Sequence, residues 1–190
     1  MILGITGGTG CGKTTLLKEI EARGGLVLDC DAIYHELLKT DTKMLEKIEN
    51  RFPGTVEDGA LNRKKLGAIV FADENALLDL NRITHGAVKQ EVLRRLSQWE
   101  GLAAIDAIGL FEGGLAELCH VTVAVCAPEE TRVRRLMARD GITEEYARNR
   151  IRAQKGEDFF RSNCSHVLVN DGSLAAFQEK CRQLLTQILD

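Results

Sequence analysis

Residues 5–15 read I-T-G-G-T-G-C-G-K-T-T and constrain this chain more than any other stretch. They fit G-x-x-x-x-G-K-[ST] as Gly7, Gly12, Lys13 and Thr14. The apolar run Ile2–Thr6 before them reads as a buried strand, and Lys13–Ala22 after them reads as a helix. Strand, glycine-rich turn and helix in that order is the setting of a phosphate-binding loop. Glycines let the backbone turn its N–H groups inward, and the helix N-terminus adds a favourable dipole. Gly8, Thr9, Gly10, Cys11, Gly12, Lys13, Thr14 and Thr15 are therefore the expected nucleotide-binding residues. Lys13 is expected on the β- and γ-phosphates and the Thr14 hydroxyl on Mg²⁺. The pattern leaves open where the phosphate goes.

Further strands are expected at Leu26–Asp29, Ala103–Ala107, Val121–Cys126 and Val167–Val169. Helical patterns at Glu129–Arg139, Thr143–Gln154 and Ser173–Leu189 lie between and after them. This order predicts an α/β fold, a P-loop NTPase-type parallel sheet flanked by helices. Ligands of such sheets bind beyond the carboxyl ends of the strands. Residues 40–99 break the rhythm, with helical patterns at Met44–Arg51, Arg63–Phe71 and Asn75–Trp99 and no convincing strand. We read 40–99 as a helical substrate-side insert, 1–39 and 100–190 as the nucleotide-binding core, and about 129–156 as a helical lid.

At 190 residues the chain is long enough for one sizeable core with an insert. A net charge of −3 gives no global attraction to nucleic acid or anionic lipid. No run approaches the roughly 20 apolar residues of a membrane span, and the N-terminus lacks the pattern of a signal peptide. A cytoplasmic protein is expected. None of the six cysteines forms C-x-x-C, so free thiols are expected rather than disulfides or zinc ligands. Cys11 admits two readings: a thiol with lowered pKa at a helix N-terminus, or a small residue that fits the loop.

Phosphoryl transfer to a hydroxyl needs a group that orients the nucleophile and accepts its proton. Asp29-Cys30-Asp31 closes the second strand. Successive strand residues point to opposite faces, and we favour Asp31, nearer the loop. Position alone leaves open that it caps a helix over Ala32–Thr40. Asp106 ends the strand 103–107, where a carboxylate often supports Mg²⁺, and Glu112 follows; each could equally cap a helix or form an ion pair. Arginines crowd residues 132–161 around Gly141, and Arg139 is the best placed to meet phosphate, most of the others being expected on solvated faces. Of the four histidines, His85 lies in the insert, as a substrate contact or a structural side chain. Trp99 is expected in packing.

Together these pieces resemble the dephospho-coenzyme A kinase family, over nearly the whole chain. Ile5–Thr15 resembles its T-G-G-x-G-S-G-K-[ST] loop and Val27–Tyr34 its V-x-D-A-D-x-I segment. Asn62–Phe71 resembles its insert, and Leu80–His85 its L-x-x-I-T-H-P. Arg135–Gln154 resembles its R-L-x-x-R-D-G lid and the R-I-x-x-Q that follows, and Val167–Gly172 its closing V-x-x-N-x-G turn near adenine. The resemblance implies transfer of the γ-phosphoryl of ATP to the ribose 3′-hydroxyl of dephospho-CoA, giving CoA and ADP. It implies Asp31 as catalytic base, Lys13 and the loop amides on ATP, and Arg139 as the lid arginine. It further implies Asn170 and Gly172 near the nucleotide, and Asp31, Lys65, His85 and Asp106 toward the acceptor.

Three departures stand out: Ile108-Gly109-Leu110-Phe111-Glu112 for P-L-L-[FI]-E, His85-Gly86 for His-Pro, and Cys11 for serine. The first two remove prolines expected to stiffen substrate-side loops. ATP, Mg²⁺ and dephospho-CoA are the implied ligands, with no nucleic-acid or membrane partner, for a monomer or small homo-oligomer. The alternatives are another small nucleoside or nucleotide kinase, or a nucleotide-binding relative without transfer chemistry. The lid and insert motifs weigh against the first. A GTPase switch would want N-K-x-D, and Asn-Lys never occurs.

Overall fold

The computed structural model describes residues 1–189. In chain order the elements are β1 (Ile2–Thr6), α1 (Lys13–Ala22), β2 (Leu26–Asp29), α2 (Cys30–Thr40) and α3 (Thr42–Arg51). A hairpin β3 (Val56–Glu57) and β4 (Ala60–Leu61) precedes α4 (Arg63–Val70) and α5 (Glu74–Leu96). Then come β5 (Ala103–Asp106), β6 (Val121–Cys126), α6 (Glu129–Asp140), α7 (Glu144–Arg152), α8 (Glu157–Asn163), β7 (His166–Val169) and α9 (Leu174–Leu189).

The five long strands form one sheet in the order β2-β5-β1-β6-β7, and every pairing is parallel. β1 sits at its centre. The chain leaves β1 toward β2 on one side and reaches β6 on the other, so the loop after β1 lies at the switch point where such sheets bind ligands. Register places Asp29 beside Asp106, and Asp106 beside Ile5. Two strand-end carboxylates therefore stand next to the root of the glycine-rich loop.

Alternation along the strands divides the core. Leu3, Ile5 and Ala104 face a cluster with Leu16 and Ile20 of α1 and Phe177, Cys181 and Leu185 of α9. Leu28 and Ile105 face a second cluster with Ile33, Leu37, Ile48, Leu66, Val88 and Val92. Helices thus cover both faces of the sheet. The second cluster includes the helices of 42–96, so that segment packs on the sheet rather than standing apart. Asx caps start its helices: Asp41 accepts from Met44 N–H at 3.0 Å, Asn62 from Lys65 at 3.1 Å and Asp73 from Asn75 at 2.8 Å. Such a cap contributes about 1 kcal/mol.

Several expectations change. The segment 40–99 does contain strands, the two-residue pair Val56–Glu57 and Ala60–Leu61, too short to show alternation. Helix α8 went unread because Gly156 and a mixed composition hide its period. Gly86 lies inside the continuous helix α5, so the missing proline is a helix position, not a loop. Trp99 is 41% exposed and donates to Leu102 O at 2.9 Å; it is a surface bracket, not core. All six cysteines are free. No helix among the described residues is long and apolar enough to cross a membrane.

Candidate active site

The glycine-rich loop leaves β1 under tight steric control. Gly7 has φ 133°, and a Cβ there would stand 2.2 Å from Val125 O. Gly12, at φ 97°, would place one 2.4 Å from Asn170 Nδ2. Lys13, first in α1, donates from Nζ to Gly7 O at 3.1 Å and so folds back across the loop mouth. Behind the loop, buried Asn170 donates to Cys11 O at 2.9 Å. Asn170 thus sits beneath the loop as a brace, while Gly172 lies exposed beyond β7. Cys11 is 3% exposed within the core cluster, and burial raises its thiol pKa against the pull of Arg132 and Lys13. The reading of a lowered pKa fails because desolvation outweighs the nearby charge.

Two cavities open on this end of the sheet. One, of about 660 Å³, is lined by Gly8–Thr14, Asp31, Asp106, Ile108, Arg135, Arg139 and Arg150. The other, of about 270 Å³, is lined by Cys30, Asp31, Tyr34, Asn81, Thr84, His85, Val88, Ile108 and Leu115, among others. Asp31 and Ile108 belong to both walls. The Thr6 hydroxyl donates to Ile108 O at 3.2 Å and ties the loop after β5 to the end of β1.

The two candidate carboxylates of residues 29–31 separate cleanly. Asp29 is the cap of α2, its Oδ1 accepting from Asp31 N–H at 2.9 Å and Ala32 N–H at 3.0 Å. Asp31 is in the first turn of that helix, not on the strand, and its carboxylate is left to the cavities. Strand alternation does not separate the two: residues two apart share a face, and the strand ends at Asp29. Asp106 is different again. Its Oδ1 is buried with no hydrogen-bond partner. Burial pushes its pKa up to about 6; Lys13 opposes that shift, and Asp29 and Asp31 add to it.

Arg139 lines the phosphate cavity, but its guanidinium is bidentate to Asp140, at 2.6 and 2.9 Å. Arg150 donates to the same carboxylate at 2.7 Å. Hydrogen bonds from Arg139 and then Arg150 hold Asp140 down at about 2. The hairpin α6–Gly141–α7 that carries them has its own small apolar core of Val133, Leu136, Ala147 and Ile151. Lys65 lines neither cavity and is paired with Glu57 of the hairpin. Glu112 lines neither one.

Sequence reasoning passed over Arg132, Arg135 and Gln154, which touch the loop backbone. Arg135 donates to Gly10 O at 3.2 Å, and Gln154 accepts from Thr9 N–H at 2.8 Å. The available signal was spacing: 132, 135 and 139 share one face of a helix.

The chain matches known proteins across its length. The dephospho-CoA kinase family model fits residues 1–176. A curated dephospho-CoA kinase of Corynebacterium diphtheriae is 35% identical, over 96% of this chain and 94% of that protein. The crystal structure of TT1252 from Thermus thermophilus superposes with a TM-score of 0.82 at 36% identity, covering 98% of this chain and 97% of that one. Dephospho-CoA kinase from Campylobacter jejuni gives 0.70 at 25% identity, covering 98% and 96%. With a glycine-rich loop of the phosphate-binding pattern at the head of α1, similarity along the full length leads to one conclusion: the chain belongs to the dephospho-CoA kinase family, a family of ATP-dependent kinases.

Proposed function

We propose that this chain transfers the γ-phosphoryl of ATP to the ribose 3′-hydroxyl of dephospho-CoA, releasing CoA and ADP. The observation that carries the reading is the position of Asp31, on the wall between the loop cavity and the second cavity. ATP occupies the larger cavity with its phosphates on the loop N–H groups and Lys13. The acceptor ribose enters the smaller one, against His85 and Tyr34. Asp31 takes the hydroxyl proton as the oxygen bonds to the γ-phosphorus and the bond from that phosphorus to the β-phosphate oxygen breaks. Lys13 and Arg139 offset the charge on the transferring group, Arg139 by exchanging Asp140 for phosphate oxygens. Residues 40–99 serve as the acceptor lobe and about 129–156 as the lid.

The residues present also fit Mg²⁺. Asp106 Oδ1 is an orphaned buried oxygen, and Thr14 brings a hydroxyl to the same cavity. Mg²⁺ prefers such hard oxygens and takes only one or two from protein when phosphates supply others. Bound there, the ion would neutralise charge on the β- and γ-phosphate oxygens. The reading carries with it a cytoplasmic enzyme with small-molecule substrates, monomeric or a small homo-oligomer.

The test is ADP release by purified protein in Mg-ATP, with and without dephospho-CoA, the product being weighed by mass spectrometry. Acceptor-dependent ADP and a product heavier by one phosphate are expected. Nucleotide binding without acceptor-dependent ADP would instead mean a different kinase or a non-catalytic relative.

A further inference from the structure

Helix α6 and the bend that follows α7 grip the phosphate loop around one residue, Thr9. Thr9 N–H donates to Gln154 Oε1 at 2.8 Å. Thr9 C=O accepts from Arg132 Nε at 2.9 Å. The other arm of Arg132 reaches the same Gln154 oxygen at 3.4 Å, closing a ring of three groups. Arg135, on the cavity wall, adds to the grip by donating to Gly10 O at 3.2 Å and Cys11 O at 3.4 Å. Thr9 is 7% exposed, so water does not readily replace these partners.

A loop of this kind needs help when no anion is bound. Its inward N–H groups carry partial positive charge and repel one another. Turning one peptide over relieves that repulsion and spoils the cradle. Any population of turned-over loop reduces apparent nucleotide affinity by the fraction it occupies. Thr9 N–H belongs to the peptide Gly8–Thr9 and Thr9 C=O to the peptide Thr9–Gly10, so Gln154 holds the first and Arg132 the second, and neither can turn over without breaking its bond. Gln154 and Arg132 line no part of the acceptor cavity.

We propose that Gln154, acting with Arg132, is a positioning residue that fixes the two peptides flanking Thr9 and so keeps the loop N–H groups that follow Thr9 aimed at the nucleotide phosphates. The proposal rests on reading this loop as the ATP site. Gln154 touches the loop backbone rather than the nucleotide, and its effect is specific to the nucleotide side.

The experiment compares wild type, Gln154→Met and Gln154→Glu. Methionine keeps the length of glutamine and lacks the acceptor; glutamate keeps the acceptor. Measured are Tm, calorimetric ADP affinity, and KM for ATP and for dephospho-CoA. Gln154→Met is expected to weaken ADP binding and raise KM for ATP about five- to tenfold, the worth of one hydrogen bond. KM for dephospho-CoA should stay within about twofold, and Gln154→Glu should recover most of the loss. Equal rises in both KM values, no change in ADP affinity, or a glutamate variant as poor as methionine would each overturn the proposal. If Gln154→Met does not fold, Arg132→Lys decides: lysine cannot hold Thr9 O and Gln154 together, and undiminished ADP affinity sinks the idea. Should wild type bind ADP yet show no acceptor-dependent turnover, the proposed function fails alone, and the ADP affinities still decide this inference.

Discussion

The phosphate cavity draws its floor from one run of chain, Gly8–Thr14, whereas the second cavity is walled by residues 30–34, 80–88 and 107–115 from three distant segments. The first sets a backbone loop, braced by Asn170 on Cys11 O and Gln154 on Thr9 N–H, against charged side chains such as Asp31, Asp106, Arg135 and Arg139. The second is built of side chains, many of them apolar, such as Val88, Ile108 and Leu115. A backbone cradle recognises a group shared by all nucleoside triphosphates. A side-chain cavity recognises one molecule. Under the function proposed above, affinity for ATP and choice of acceptor would be set by separate parts of this protein that meet at Asp31.

The largest break is expected at that meeting point. Asp31→Asn should lower kcat by about 10²–10⁴-fold, the usual worth of acid–base help, while calorimetric ADP affinity stays near wild type. Turnover unchanged by this variant would remove Asp31 as base. Lys13→Ala tests the backbone side alone. It should cost about 10²–10³-fold in kcat/KM for ATP, as loss of a charge-stabilising donor does, and should also weaken ADP binding. Retained affinity and rate would mean that the loop does not cradle phosphate.

Asp106 sharpens the comparison through stability. Its folded pKa, about 6, lies above the ordinary 3.8. Below about pH 4 the carboxyl is neutral both folded and unfolded, so ionisation adds no cost to folding. Between about pH 4 and 6 the unfolded chain releases this proton while the folded one keeps it, and folding loses on the order of 2–3 kcal/mol, a loss complete once pH passes 6. Asp106→Asn should therefore raise Tm by several degrees at pH 8 in buffer free of Mg²⁺ and nucleotide. That gain should fade as pH falls from 6 to 4, and a gain equal at both ends would show that ionisation is not its source.

The smallest effect is expected at His85, on the acceptor wall. His85→Ala should raise KM for dephospho-CoA about three- to tenfold, the range of one lost polar contact, with KM for ATP held within twofold. Equal rises in both KM values would place His85 in the general packing of α5 instead.

What the sequence determined by itself is the backbone side. Strand, glycine turn, lysine and helix are contiguous, so local sterics and apolar periodicity suffice to write Ile2–Thr6, the loop and Lys13–Ala22 correctly. Parallel pairing followed from alternation of strand and helix. The resemblance to the family also rested on contiguous motifs. Tertiary structure decided everything that depends on residues meeting from afar. It gave the cap role to Asp29 and left Asp31 to the cavities, because the strand ends at Asp29 and Asp31 falls in the first turn of α2. It buried Cys11, where desolvation overrides the helix N-terminus. It paired Lys65 with Glu57, away from either cavity, and turned Asn170 under the loop. It brought Gln154 to Thr9 across 145 positions of chain. Periodicity says which face of a helix is polar. Only packing says which backbone that face will meet.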